Sequence, residues 1–258
     1  MKIIRTLALI LLVILPYSTA LSHFSPYLTA HSFSDFVWAS LVYGALILAL
    51  GRFISVPNTH SSGFGLLALG ALIGPPLMLG PPELGENLLN RVTEEHFRFG
   101  LLMAATLLLA VSGGLLLRKI KGPALLWALL VLSVVLQLWD NYSSYHLSNE
   151  MRHWIQSGKN PAHFIMEYPF HQTLRTLGRS LIYLLIPAVS WILWKKGSLK
   201  KGIFMTLTVF CAAGIVFFFL FNFQGFDFYF PFMIPAVALA PAYWLGIALV
   251  KSWEYNSK

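Results

Sequence analysis

Apolar runs long enough to cross a lipid bilayer, most of them flanked by Lys or Arg, recur along almost the whole chain. About 20 apolar residues in a helix span the roughly 30 Å hydrocarbon core. Inside that core every backbone N–H and C=O needs an internal partner, so such runs specify helices rather than loops. Spans are expected over residues 3–21, 36–56, 63–79, 97–117, 123–140, 180–194, 202–221 and 231–250. The chain reads as an all-α, polytopic integral membrane bundle of about eight transmembrane helices, one domain over residues 1–258. Only 11% of its residues are charged, against about 25% in an ordinary soluble domain.

Residues 1–21 carry Lys2 and Arg5, an apolar stretch and then Ser18-Thr19-Ala20. This is the pattern of a cleavable signal peptide and equally of a signal anchor. The anchor is the preferred reading; cleavage of residues 1–20 would leave seven spans. In the third span, Gly70 and Gly74 stand four apart, a close-packing spacing. The following GPPLMLGPPELG should end or break that helix, because its Pro-Pro pairs lack backbone donors. Pro123 suits the first turn of the fifth span.

The net charge of +8 does not point to nucleic acid, since the basic residues flank the apolar runs. With the N-terminus inside, Lys2, Arg5, Arg52, Arg118, Lys119, Lys121, Lys195, Lys196, Lys200, Lys201, Lys251 and Lys258 are cytoplasmic, twelve of the 18 Lys and Arg. That is the positive-inside bias. It predicts cytoplasmic N- and C-termini in a membrane, in the first instance a bacterial inner membrane. Asp35, Glu83, Glu86, Glu94, Glu95, Asp140, Glu150, Glu167 and Asp227 then lie outside, with every histidine except His60. Carboxylates barely influence insertion, so their segregation marks the extracytoplasmic face as the place for chemistry. The single cysteine, Cys211, rules out an intramolecular disulfide and multi-thiolate metal sites.

The one long polar passage is residues 137–179, with residues 140–178 expected as an extracytoplasmic loop. If its first part is helical, His146, Glu150 and His153 share one face, within roughly 60° at about 100° per residue. Two imidazoles and a carboxylate suit zinc, iron or copper. His163, Glu167 and His171 repeat the spacing, interrupted by Pro169. The stretch Asn160-Pro161-Ala162-His163-Phe164-Ile165-Met166-Glu167-Tyr168-Pro169 resembles a passage in the C subunit of copper membrane monooxygenases. That family's Asp-x-x-x-His spacing is missing, because Asp140 and His146 are six apart. The resemblance keeps copper among the candidate metals.

Glu94-Glu95-His96-Phe97-Arg98 opens the fourth span and is similar to the paired glutamates of membrane CAAX-type proteases, with one residue too few before the arginine. The ordinary alternative is an i,i+4 pair between Glu94 and Arg98. His96, beside the start of the apolar run, is a further candidate ligand. His23 and His31 are candidates for haem, but neither sits well inside a span. The span interiors offer almost no ionisable group, which argues against ion-coupled transport. The aromatic stretch 217–232 reads as an interfacial belt, or else as a wall for a lipid or isoprenoid.

Two function classes follow. The first is a membrane enzyme or cofactor-bearing subunit acting on a lipidic or small apolar substrate. Glu94, Glu95, Asp140 and Glu167 would be its acid–base groups, and His96, His146, Glu150, His153, His163 and His171 its metal ligands. The second is a non-enzymatic permease or structural subunit whose outer loop docks other membrane subunits.

Overall fold

The computed structural model describes residues 2–22, 26, 31–56, 61–80, 88–164, 169–224 and 235–252. Among them nine α-helices form: α1 Lys2–Ser18, α2 Phe33–Ile54, α3 Ser61–Met78, α4 Leu88–Lys119, α5 Ala124–Gln156, α6 Pro161–Phe164, α7 Pro169–Lys195, α8 Lys201–Gln224 and α9 Pro235–Ser252. Six helices are long and apolar enough to cross a membrane, and the apolar stretches Lys201–Phe217 and Ala236–Lys251 are shorter. This is the expected helical membrane bundle. Its outer surface carries Trp38, Leu41, Val42, Val111, Leu125, Val131 and Val209 at half exposure or more, an apolar coat suited to lipid rather than water.

The centre of the bundle is α3. Two thirds (67%) of its most apolar window is buried, against 22% for α1 and 28% for α2. It packs on α9, α4, α2 and α1, while α4, α5, α7 and α8 follow one another as neighbours. Close approach comes from glycine, though not as the Gly70–Gly74 spacing suggested. A Cβ at Gly70 would meet the Tyr243 ring at 2.4 Å, and one at Gly74 the Tyr43 ring at 2.2 Å. These glycines therefore make room for aromatic rings. Backbone contact occurs at Gly246, where a Cβ would stand 2.3 Å from the Leu67 nitrogen. Tyr43 donates its hydroxyl to the Gly70 carbonyl at 2.9 Å and Tyr243 to the Leu12 carbonyl at 2.6 Å, so both buried hydroxyls also stitch helices together.

Local signals account for several ends. Ser32 and Asp35 form a reciprocal capping box at the start of α2. Pro75 and Pro76 lie inside the last turn of α3, which stops at Met78, so the first Pro-Pro pair acts as a terminator. The second pair, Pro81-Pro82, lies outside the described residues. So do Glu83, Glu86, His23, His60, Glu167, Asp227 and the aromatic segment from residue 225 to 232.

The basic helix ends meet. Lys196 donates to the Ile120 carbonyl at 2.6 Å, joining the α4–α5 and α7–α8 turns. The Val56 nitrogen donates to the Val250 carbonyl at 3.3 Å, joining the ends of α2 and α9.

The polar passage departs from expectation. Residues 140–156 continue α5 and residues 169–178 begin α7, where a loop was expected. With 33 residues in α5, the helix is about 50 Å long at 1.5 Å per residue. That exceeds the roughly 30 Å core, so polar side chains on its last turns stand beyond the membrane border without breaking the helix.

Candidate functional site

Four polar residues on α5, Gln137, Asp140, Asn141 and Ser144, recur at helical spacing and are buried, the first three at 1% exposure. They form one stripe within about 100° of helix surface, turned towards α4 and α7. Opposite Asp140, α7 supplies Arg175 and Arg179, one turn apart. Arg175 Nε donates to Asp140 Oδ1 at 2.8 Å and its Nη2 to Ser144 Oγ at 3.1 Å. Arg179 Nη2 donates to Asp140 Oδ2 at 2.9 Å. Both Asp140 and Arg179 side chains are 2% exposed, and Arg175 is 26% exposed. The helices come close enough because residue 178 is glycine; a Cβ there would stand 2.9 Å from Leu136 Cβ.

Counting along the helices gives the depth. Asp140 is 16 residues from Ala124, and Arg179 is 16 from Lys195, so both lie about 24 Å from the basic end. That is inside a hydrocarbon core of roughly 30 Å, near its polar border. The sequence places Asp140 near the outer border, and by this count Arg179, just before the expected start of its span at residue 180, falls at the same level. An ionisable side chain costs about 2.5–3.5 kcal/mol to insert at the centre of a span and less towards its border, and pairing offsets that cost.

A second group stands on α4. Arg98, 1% exposed, sets Nε 3.0 Å from Glu95 Oε2 and donates Nη2 to Glu95 Oε1 at 3.2 Å. Its Nη1 donates to the Pro76 and Gly80 carbonyls, so a cation covers acceptors at the C-terminal end of α3. Glu94 pairs with Arg91 at 3.0 Å. Each glutamate therefore takes the arginine three residues away, not the expected Glu94–Arg98 partnership. Non-helical geometry at Arg91 (φ −127, ψ 18) accompanies the Glu94 pair, while Arg98 and Glu95 are buried together beside the end of α3. His96, between Glu95 and the apolar run, is half-buried and stacks on Tyr145 of α5, with ring centroids 4.0 Å apart and planes 19° apart. Its electrostatic neighbours include Glu95 and His146.

Around these clusters, both amide atoms of Gln137, Asn141 Oδ1 and His96 Nε2 are buried without a hydrogen-bond partner among the described residues. Asn141 Nδ2 reaches Thr106 Oγ1 on α4 at 3.5 Å. The polar stripe of α5 thus ends, on its deep side, in the Gln137 amide, and both amides have hydrogen-bonding capacity to spare.

His146, Glu150 and His153 do share a helical face, but it is exposed and lies roughly 180° from the buried stripe. His146 is 22 residues into α5 and His153 is 29, about 33 and 44 Å from its start and so past the roughly 30 Å core. His146 contacts Tyr142 and Tyr145 edge-on. His163 is exposed on α6, and the side chain of His171 lies outside the description. Among the described residues no three of His, Cys, Asp or Glu are grouped as a metal ion would require. Glu94 and Glu95 on α4 and Asp140 on α5 are buried. Reasoning from the sequence missed Arg175, Arg179, Asn141 and Ser144 as site residues. Two signals were available: the i,i+4 spacing of the arginines, and the stripe that begins at Gln137. An apolar void of about 20 Å³ deeper in the bundle, bounded by Leu66, Leu109, Leu130 and Leu245 among others, has no polar side chain in its lining.

No protein-family model matches the chain, and comparison with curated proteins and with solved structures finds no match.

Proposed function

We propose that this multi-pass membrane protein engages an amphiphilic substrate at the polar border of its bundle. Asp140, Arg175 and Arg179 hold the polar end, and Glu94, Glu95 and His96 serve as proton-transfer groups beside it. The observation that carries this reading is the carboxylate of Asp140, buried on a helix of membrane-spanning length and held by two guanidiniums at 2.8 and 2.9 Å. Ionisable residues at that depth are functional by default. The carboxylates and His96 supply the general acid–base chemistry that an enzyme on a lipidic substrate needs.

The exposure of His146, Glu150 and His153 favours this charge-based site over a metal centre. The positive-inside bias of the twelve basic residues supports an extracytoplasmic site with both termini cytoplasmic. A bacterial inner membrane fits that arrangement.

Native mass spectrometry of the full chain released from mild detergent tests the reading. Wild type should retain a bound amphiphile that Asp140→Asn/Arg175→Gln loses. Identical adducts on both proteins would favour the competing class, a subunit or permease without this site.

A further inference from the structure

The basic end of the bundle gathers its charge more tightly than topology needs. The α4–α5 turn carries Arg118 and Lys121, and the α7–α8 turn carries Lys195, Lys196, Lys200 and Lys201, all six exposed. Lys196 donates across to the Ile120 carbonyl. Two turns far apart in sequence thus lie side by side, with a third of the chain's 18 Lys and Arg on them. The sequence has no Asp or Glu from residue 96 to 139 or from 168 to 226. Among the described residues none of the six forms an ion pair. The positive-inside bias acts on the charge of each loop; it does not require the loops to touch, and like charges brought together repel.

Two local placements point the same way. Both α4 and α7 close with a residue in the left-handed region, Lys121 (φ 49) and Gly197 (φ 73). The Gly122 nitrogen then donates to the Leu117 carbonyl at 2.8 Å, and the Ser198 nitrogen to the Leu193 carbonyl at 2.9 Å. Glycine is the usual residue at that position because it has no Cβ. The end of α7 follows the rule; the end of α4 puts lysine there, so the turn holds a cation at a steric cost. Lys200 and Lys201 stand at the start of α8, which has no acid in its first turn, although the helix dipole favours acids there. Neither placement is explained by its own helix, and an anion shared by the two turns explains both.

The adjoining surface is apolar. Leu125 on the first turn of α5 and Trp191, one turn before Lys195, are exposed, and Lys195 lies over the Trp194 ring at 4.8 Å. A partner seated here meets charge at its head and hydrocarbon along its tails, which fits a lipid and not a soluble anion. Basic pockets between helix ends at a membrane border hold polyanionic lipid head groups. With cations on two turns, a head carrying two phosphates engages both, and its second contact forms at high effective concentration.

We infer that the joined α4–α5 and α7–α8 turns form a binding surface for a phospholipid with two phosphates in its head group. The surface lies at the end of the bundle away from Asp140, and the inference stands apart from the function proposed above.

Native mass spectrometry tests it on the purified full chain in a neutral detergent. The protein is titrated with diphosphatidylglycerol, or with twice as much phosphatidylglycerol of the same acyl chains, which gives apparent Kd values at equal phosphate. The two-phosphate lipid should bind at least about tenfold tighter, well within what linking two contacts supplies. Arg118→Gln/Lys121→Gly empties one turn of its exposed cations and relieves its backbone, and should bring that ratio close to one. Lys200→Gln/Lys201→Gln, at exposed positions on the other turn, should cut the ratio at least about threefold. Arg5→Gln/Arg52→Gln, which removes two exposed bases from α1 and α2, should leave it as it was.

A ratio near one in wild type overturns the inference, because the charge then serves insertion alone. An equal fall in Arg5→Gln/Arg52→Gln also overturns it, since net charge and not the joined turns would set the binding. Pyrophosphate that displaces the lipid at the lipid's own concentration overturns the lipid in favour of a free anion.

Discussion

Asp140→Asn isolates the central ion pair. The substitution keeps the shape of the side chain and removes its charge, which leaves Arg179 buried and Arg175 partly buried without their shared carboxylate. Breaking a buried pair from one side costs about 3–5 kcal/mol. The Arg179 share applies in full, because both side chains are 2% exposed. The Arg175 share is discounted to under about 1 kcal/mol, because that side chain is 26% exposed and can turn towards the border.

Arg179→Met should cost less than Asp140→Asn, since Asp140 keeps Arg175 at 2.8 Å. The double variant strands no deeply buried cation, so it should be no worse than Asp140→Asn alone. Its non-additivity should be about 1–3 kcal/mol, as for side chains in one network. Unfolding by dodecyl sulfate in mixed micelles, followed by tryptophan fluorescence, measures all three. An Asp140→Asn protein within about 0.5 kcal/mol of wild type, the range of an ordinary surface change, would refute the reasoning, and so would strict additivity.

Gln137→Leu should raise the stability of the ligand-free protein by about 1–3 kcal/mol, because it removes two orphaned buried polar atoms; a loss in the same unfolding assay would show that the amide is satisfied. Gly178→Ala should lower stability by about 1–3 kcal/mol through overpacking against Leu136, and an unchanged unfolding midpoint would contradict the close approach of α5 and α7. His146→Ala/His153→Ala should shift stability by no more than about 0.5 kcal/mol, as for exposed positions, and leave the metal content by plasma mass spectrometry unchanged; a fall in metal content would restore the metal site. In a cysteine-free background, cysteines at positions 159 and 197 should react with an impermeant maleimide from opposite sides of the membrane, with 159 outside, and the reverse result would sink the orientation.

Where the sequence suffices, the signals are local. Arg118 and Lys119 sit in the last turn of α4, where hydropathy and charge both end the span. Ser32 and Asp35 fix the start of α2 through a capping box that occupies four residues. A charge that ends a span likewise acts on the chain beside it. The number of helices, their apolar character and the separation of bases from acids along the chain follow from such facts. A bilayer tests each segment separately for hydrophobicity and internal hydrogen bonding.

The candidate site does not follow from them. Glu94, Glu95 and Asp140 were legible as carboxylates at span mouths, but their partners were not. Arg175 and Arg179 lie 35 and 39 residues from Asp140, and sequence spacing cannot show which helix stands opposite. His146, Glu150 and His153 have the spacing of a site, yet the packing of α5 buries the other face, with Gln137, Asp140, Asn141 and Ser144. Helical periodicity shows which residues share a face. Only the neighbours in the bundle decide which face is inside, and there desolvation makes a charge's partner worth several kcal/mol.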